Sequence, residues 1–314
     1  MRASITMACL TATVASAFMA PPRSPLGLAP RPLQQRRAPQ RRAPVVAAGE
    51  SLLYSPAETY HLFVAKGEAN AKLSNLKTMH ASIMGGIQVG IGGLLCLTVC
   101  GGMPAVAAAN PGIVKFVFGA LFPVCLMLVL NTGTQLYTGN TASMASAYCE
   151  GKISARDVAK SWTIAFIGNV IGCGLIAYVG KYTGLLSGGT KAMAAALGVA
   201  KCNGGTFGQM FVKGIFCNYL VCMAVYLATM ARDMTGRYFG IFVPVSTFIT
   251  TGYEHSVANL MLLPAAMLAG APITLRDVLV KNLIPVTIGN GLAGAVLVAA
   301  SFSYQFGKLG GGKQ

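Results

Sequence analysis

The stretch Phe248-Ile-Thr-Thr-Gly-Tyr-Glu-His-Ser-Val-Ala-Asn-Leu260 decides the fold. Long apolar runs flank it on both sides, as in a membrane span, yet it carries a Glu254-His255 pair. An ionisable group at that depth costs several kcal/mol unless it faces a partner or a cavity. The segment therefore reads as a broken helix with a functional centre in it.

Composition agrees with a membrane setting. Of 314 residues, 54% are hydrophobic and 10% charged, and the mean hydropathy is +0.61. Soluble domains carry about 25% charged residues. The 38 glycines fit close helix packing in lipid. The net charge of +16 is divided between an Arg-rich N-terminus and scattered loops, which argues against nucleic-acid binding. Nine cysteines lie mostly in apolar spans without a C-x-x-C, so they read as packing residues; no metal or cofactor is expected.

Residues 1–49 read as a bipartite targeting presequence. A weakly apolar stretch from Ile5 to Val14 is followed by Ala15-Ser-Ala17, the small-x-small pattern of signal peptidase sites. Phe18-Met-Ala-Pro-Pro then opens a basic, Pro-rich run with no acidic residue before Glu50. That composition cannot build a core. The junction resembles plastid presequences of algae with complex plastids, which implies a plastid-envelope location.

Residues 50–77 read as a surface helix with Pro56 in its first turn. Residues 78–304 hold the membrane domain, and 305–314 a C-terminal tail. Six spans are expected, near 79–101, 112–149, 159–180, 209–230, 239–270 and 278–303. The second is too long for one crossing and is interrupted at Asn131-Thr-Gly-Thr-Gln135 and at Thr138-Gly-Asn-Thr141. The fifth is interrupted around Thr250–His255.

The two halves repeat. In each, the second of three spans is broken and the third carries a Gly-Asn pair, at Asn169 and at Asn290. Thr138 is matched with His255. Three spans per half is an odd number, so the second half enters from the opposite side. The expected architecture is an all-α polytopic membrane protein, a 3+3 inverted repeat whose two broken helices meet near the midplane. Loop lysines and arginines put both termini inside.

Several stretches together resemble the formate/nitrite transporter family. They are Gln135-Leu-Tyr-Thr-Gly-Asn140, Ile167-Gly-Asn-Val-Ile-Gly172, Gly214-Ile-Phe-Cys-Asn218, Gly252-Tyr-Glu-His-Ser-Val-Ala-Asn259 and Asn282-Leu-Ile-Pro-Val-Thr-Ile-Gly-Asn290. The resemblance implies an aquaporin-like protomer of six spans, a homopentamer in the lipid bilayer, and a pore in each protomer. It implies small weak-acid anions as substrates, such as nitrite, formate or bicarbonate, and no enzymatic activity. By the same resemblance His255 is the central pore residue, Thr138 its hydroxyl partner and Asn259 a residue that orders the site. Phe122, Leu126, Leu136, Tyr137 and Phe248 resemble the apolar constrictions, with Tyr137 in place of the usual Phe. Lys201 stands nearest to a vestibule lysine, although Cys202 occupies the ungapped position.

The expected chemistry follows from desolvation. A bare anion pays several kcal/mol to cross apolar constrictions, whereas a neutral acid avoids most of that cost. Proton-coupled passage with His255 as relay is therefore expected, with nitrite first because of the inferred compartment. Bicarbonate on the same fold stays open as a rival substrate. An aquaporin-type neutral-solute channel is disfavoured because Asn-Pro-Ala motifs are absent. An intramembrane enzyme is disfavoured because no nucleophile accompanies Glu254-His255. Glu254, Asn169, Asn218 and Asn290 are read as structural support, with Glu254 expected to bond backbone N–H groups freed at the break.

Overall fold

The computed structural model describes residues 51–311; the expected presequence lies outside the described residues. Among them, helices account for nearly all regular structure. Helix α1 (Pro56–Ala71) opens with Pro56 at its first position and a reciprocal Ser55–Glu58 capping box, a device worth about 1 kcal/mol. Ser74 then caps α2 (Asn75–Gly101), so the first span begins a turn before the expected boundary. A short α3 (Pro104–Ala109) leads to α4 (Pro111–Thr132), then α5 (Tyr137–Cys149) and α6 (Ala155–Tyr182). The second half comprises α7 (Gly188–Asn203), α8 (Phe207–Met230), α9 (Met234–Thr251), α10 (Ser256–Leu268) and α11 (Asp277–Phe306).

Five of these helices, α2, α4, α6, α8 and α11, are long and apolar enough to cross a membrane. Helix α2, with 27 residues, extends about 40 Å at 1.5 Å per residue, more than the roughly 30 Å of hydrocarbon. The chain is an integral membrane protein. Helix α9 is less apolar, with Asp233 as its N-cap and Arg237 in its first turn. Helix α10 is apolar but short, at 13 residues.

Both breaks are built alike. Helix α4 ends at Gly133 (φ 73°) and α9 at Gly252 (φ 84°). Nothing crowds either position, so the left-handed backbone alone calls for glycine there. The next residue closes the turn in each case: Thr134 N donates to Val129 O, and Tyr253 N to Phe248 O. The first break is shorter than expected. Thr138-Gly-Asn-Thr141 is not irregular but forms the first turns of α5.

The halves pack by one plan. Helix α2 lies along α6, as α8 lies along α11. The half-helices cross over: α5 packs on α11, and α10 on α6. Helix α1 lies on α5, as α7 lies on α10. A side chain on Gly67 would strike the Ser143 carbonyl, and one on Gly198 would strike Ala266. The surface helix α1 thus has a counterpart, α7, in a stretch to which the sequence had assigned no element.

Candidate functional site

Two asparagines hold the breaks open in register. Asn169 on α6 accepts from Tyr137 N (2.9 Å), the first residue of α5. Its amide donates to Gln135 O (3.0 Å) and Ser82 O (2.7 Å). Asn290 on α11 accepts from Ser256 N (2.9 Å), the first residue of α10. Its amide donates to Glu254 O (3.1 Å) and Gly214 O (2.7 Å). Both side chains are fully buried. Each satisfies a half-helix N-terminus and a break carbonyl that no helix would pair. Asn218 adds a cross-tie, donating to Thr141 Oγ1 (2.8 Å) and Asn290 O (2.6 Å).

This bonding corrects the expected pairing of the repeat. Tyr137 matches Ser256, so His255 matches Leu136, and Thr138 matches Val257. His255 and Thr138 are nevertheless direct partners, with Nε2 and Oγ1 3.0 Å apart. His255 caps α10: its Nδ1 accepts from Ala258 N (3.2 Å). A ring nitrogen that accepts carries no proton, so in the neutral ring the proton sits on Nε2 and is donated to Thr138.

Beside this pair lies a cavity of about 10 Å³, room for about one water. Phe122, Leu126, Leu136 and Phe248 line it together with His255. Phe248 packs against the imidazole, ring centres 5.6 Å apart. Tyr137 lies elsewhere. Its ring packs edge-on against Trp162 and Phe166, and its hydroxyl donates to Thr287 O (3.0 Å). It is not among the residues lining this cavity or the two larger ones flanking it.

The first flanking cavity, about 270 Å³, reaches His255 and is lined by Lys115, Lys201, Lys213, Glu254 and Asn259. Lys201 pairs with Glu254 at 2.9 Å, with side chains only 14% and 6% exposed. The same carboxylate oxygen, Oε2, accepts from Asn259 (2.7 Å) and Asn282 (3.2 Å). Glu254 therefore bonds three side chains, and not the freed backbone N–H groups expected from sequence. A buried ion pair persists only with such added hydrogen bonds. Asn259 Oδ1 is buried and has no partner.

The second flanking cavity, about 240 Å³, shares Leu126 and Leu136 with the small one. Lys66, Asn70, Gln135 and Asn140 line it. Gln135 Oε1 accepts from Asn140 (2.9 Å), and its amide donates to Asn70 (3.3 Å). Asn140 also donates to Ser161 Oγ (3.1 Å). Burial, with Arg237 adding repulsion, lowers the Lys66 ammonium to about 8. The three cavities thus run in series, basic and polar at the ends and apolar in the middle.

Sequence reasoning missed Lys66, Asn70, Gln135 and Asn140 on one side, and Lys115, Lys213 and Asn282 on the other. One signal was available: Gln135 and Asn140 repeat the spacing of Glu254 and Asn259.

Residues 57–304 match the formate/nitrite transporter family. A probable formate transporter of Methanothermobacter thermautotrophicus is 37% identical, covering 80% of this chain and 97% of that protein. Among solved structures, an FNT family ion channel superposes with a TM-score of 0.72 at 28% identity, covering 79% of this chain and 98% of that one. A pentameric formate channel with formate bound gives a TM-score of 0.66 at 29% identity, covering 74% and 97%. These relatives are transporters and channels, not enzymes. With this match over most of its length, the chain belongs to the formate/nitrite transporter family.

Proposed function

We propose that the protein conducts a small weak-acid anion through each protomer, nitrite first and formate as a further substrate, with a proton passed at His255. The observation that carries this reading is the His255–Thr138 bond beside a one-water apolar cavity, between two basic, polar cavities. Lysines concentrate the anion at the ends. The apolar middle rejects it as a bare ion, at roughly several kcal/mol. The Nε2 proton shared with Thr138 lies where neutralisation is needed, and the Thr138 hydroxyl can donate to the anion. Because Nδ1 is held by Ala258 N, the relay runs through Nε2 and the hydroxyl.

The test is uptake of nitrite, formate and bicarbonate into proteoliposomes across imposed pH gradients. Native protein is expected to take up nitrite and formate together with protons. A His255→Asn variant that kept this behaviour would sink the relay. Bicarbonate outcompeting nitrite would change the substrate but not the route.

By analogy with the pentameric formate channel, the assembly is a homopentamer; native mass spectrometry showing a stable monomer would overturn this. The inverted, aquaporin-like 3+3 arrangement is supported by the matched bonding of the two halves; accessibility labelling that puts both breaks' entrances on one side would remove it. The composition of residues 1–49 supports a plastid-envelope location. Failure of those residues to direct a fluorescent fusion to plastids would remove that part.

A further inference from the structure

The two flanking cavities share one side-chain scaffold and differ in charge. On one side, Glu254 is held by Asn259 and Lys201, and Asn259 by Asn282. On the other, Gln135 is held by Asn140 and Asn70, and Asn140 donates to Ser161. Gln135 matches Glu254, Asn140 matches Asn259, Ser161 matches Asn282, and Asn70 on α1 matches Lys201 on α7. These are the matches already fixed by Asn169 and Asn290 and by the packing of Gly67 and Gly198. Gln135 is 4% exposed and Glu254 5%, so solvent access does not account for the difference. The first break holds a matching arrangement with neutral side chains.

We infer that Gln135 and Asn70 form a neutral counterpart of the Glu254–Lys201 site, a second station for the anion that acid leaves unchanged, so that the pathway senses acid from the Glu254 side only. The inference rests on the conduction reading above. The amide groups of Gln135, Asn70 and Asn140 can donate to a small oxyanion but neither gain nor lose a proton. Among the described residues lining this cavity, Lys66 is the one ionisable side chain, and its lowered value lies on the alkaline side of neutrality. Charged groups on neighbouring elements do not line this cavity, although Arg237 repels the Lys66 ammonium. Arg237 of α9 bonds Asn131, Glu68 pairs with Lys72 on α1, and Lys160 of α6 donates to Ala71 O. The Glu254 side presents a carboxylate, Lys115, Lys201, Lys213 and the His255 ring.

Two double variants test this. E254Q/K201N writes the neutral pair into the charged side, and Q135E/N70K writes the charged pair into the neutral side. Each copies a pair that the other half already accommodates, and monodisperse elution at the native volume checks folding. Formate flux is measured in vesicles with pH varied on one side at a time, between about pH 5 and pH 7. Native flux is expected to change about fivefold or more with pH on the Glu254 side and less than about twofold on the Gln135 side. E254Q/K201N should flatten the first response, and Q135E/N70K should create the second. Equal native responses from both sides, or variants that leave the side dependence unmoved, would overturn the inference.

If native vesicles carry no flux, the conduction reading fails on its own. Binding of ¹³C-formate to the solubilised protein then decides this inference. Q135A should weaken binding by the same factor at both ends of the pH range. Equal binding by Q135A and native protein would overturn it.

Discussion

The breaks at Gly133–Leu136 and Gly252–His255 are the same structure with different chemistry. Both follow a left-handed glycine, both are spanned by a buried asparagine, and both start a 13-residue half-helix. They differ at three positions: Thr134 against Tyr253, Gln135 against Glu254, and Leu136 against His255. The first break is an internal control for the second. What both contain builds the break; what only the second contains is the proposed proton site.

The largest effect is expected where that separation is cut across. E254Q alone leaves Lys201 buried without its carboxylate, which costs about 3–5 kcal/mol. Adding K201N should recover most of that loss, because Gln135 and Asn70 show the neutral pair in place. Thermal unfolding of the two single variants and the double measures the coupling. A double variant as unstable as E254Q would mean that the second break needs its charges to fold.

Next come the asparagines. N169A and N290A each orphan a half-helix N–H and a break carbonyl, at about 1–3 kcal/mol per group. The two should lose melting temperature and assembly to a similar degree. If one were tolerated, the two breaks would not be equivalent scaffolds.

H255L makes the second break read like the first. Leu136 occupies the matching cap without any side-chain bond, so the fold should survive with a loss of about 1 kcal/mol. Anion flux should fall about 100-fold, the usual contribution of a positioned proton donor. Retained flux in a folded H255L would place the proton step elsewhere.

A smaller effect belongs to Lys66. Its ammonium is charged below about pH 8 and loses its proton above. Attraction of anions into the Gln135-side cavity should therefore be present at neutral pH and decline as pH rises past 8 on that side. K66Q should remove that decline and lower initial flux at neutral pH by a few-fold. A decline that survives K66Q must come from another group.

How much of this was legible in the sequence depended on whether a feature is local. The polar interruptions at Asn131–Gln135 and Thr250–His255, the Gly-Asn pairs and the misplaced Glu-His lie within short windows, and they announced two broken helices. Helix α7 was illegible because it is short and rich in Gly and Ala, without an apolar stripe long enough to span. The partners of Glu254 were illegible because Lys201 and Asn282 come from other helices. The repeat register was set two residues off because Thr138 and His255 were matched by their role. Their backbone positions differ, and only the Asn169 and Asn290 bonds reveal this. Tyr137 shows the same limit at one residue: matching a position to a pore-lining one does not tell which way its side chain points.

Tyr137 also offers the mildest comparison, between a residue beside the cavities and those that line them. Its neighbour Leu136 lines two cavities, while the Tyr137 ring packs against Trp162 and Phe166. Its hydroxyl ties the start of α5 to the Thr287 carbonyl on α11. Y137F removes that one bond and keeps the ring, so stability should drop by about 1 kcal/mol, a shift of about 3 °C. Flux, selectivity and pH profile should stay native, since no cavity wall changes. L136A should do the reverse: it widens the small cavity and relaxes selectivity among anions. If Y137F altered selectivity as L136A does, the ring must enter the pathway in a second arrangement of the first break. The two breaks would then differ in motion as well as in charge.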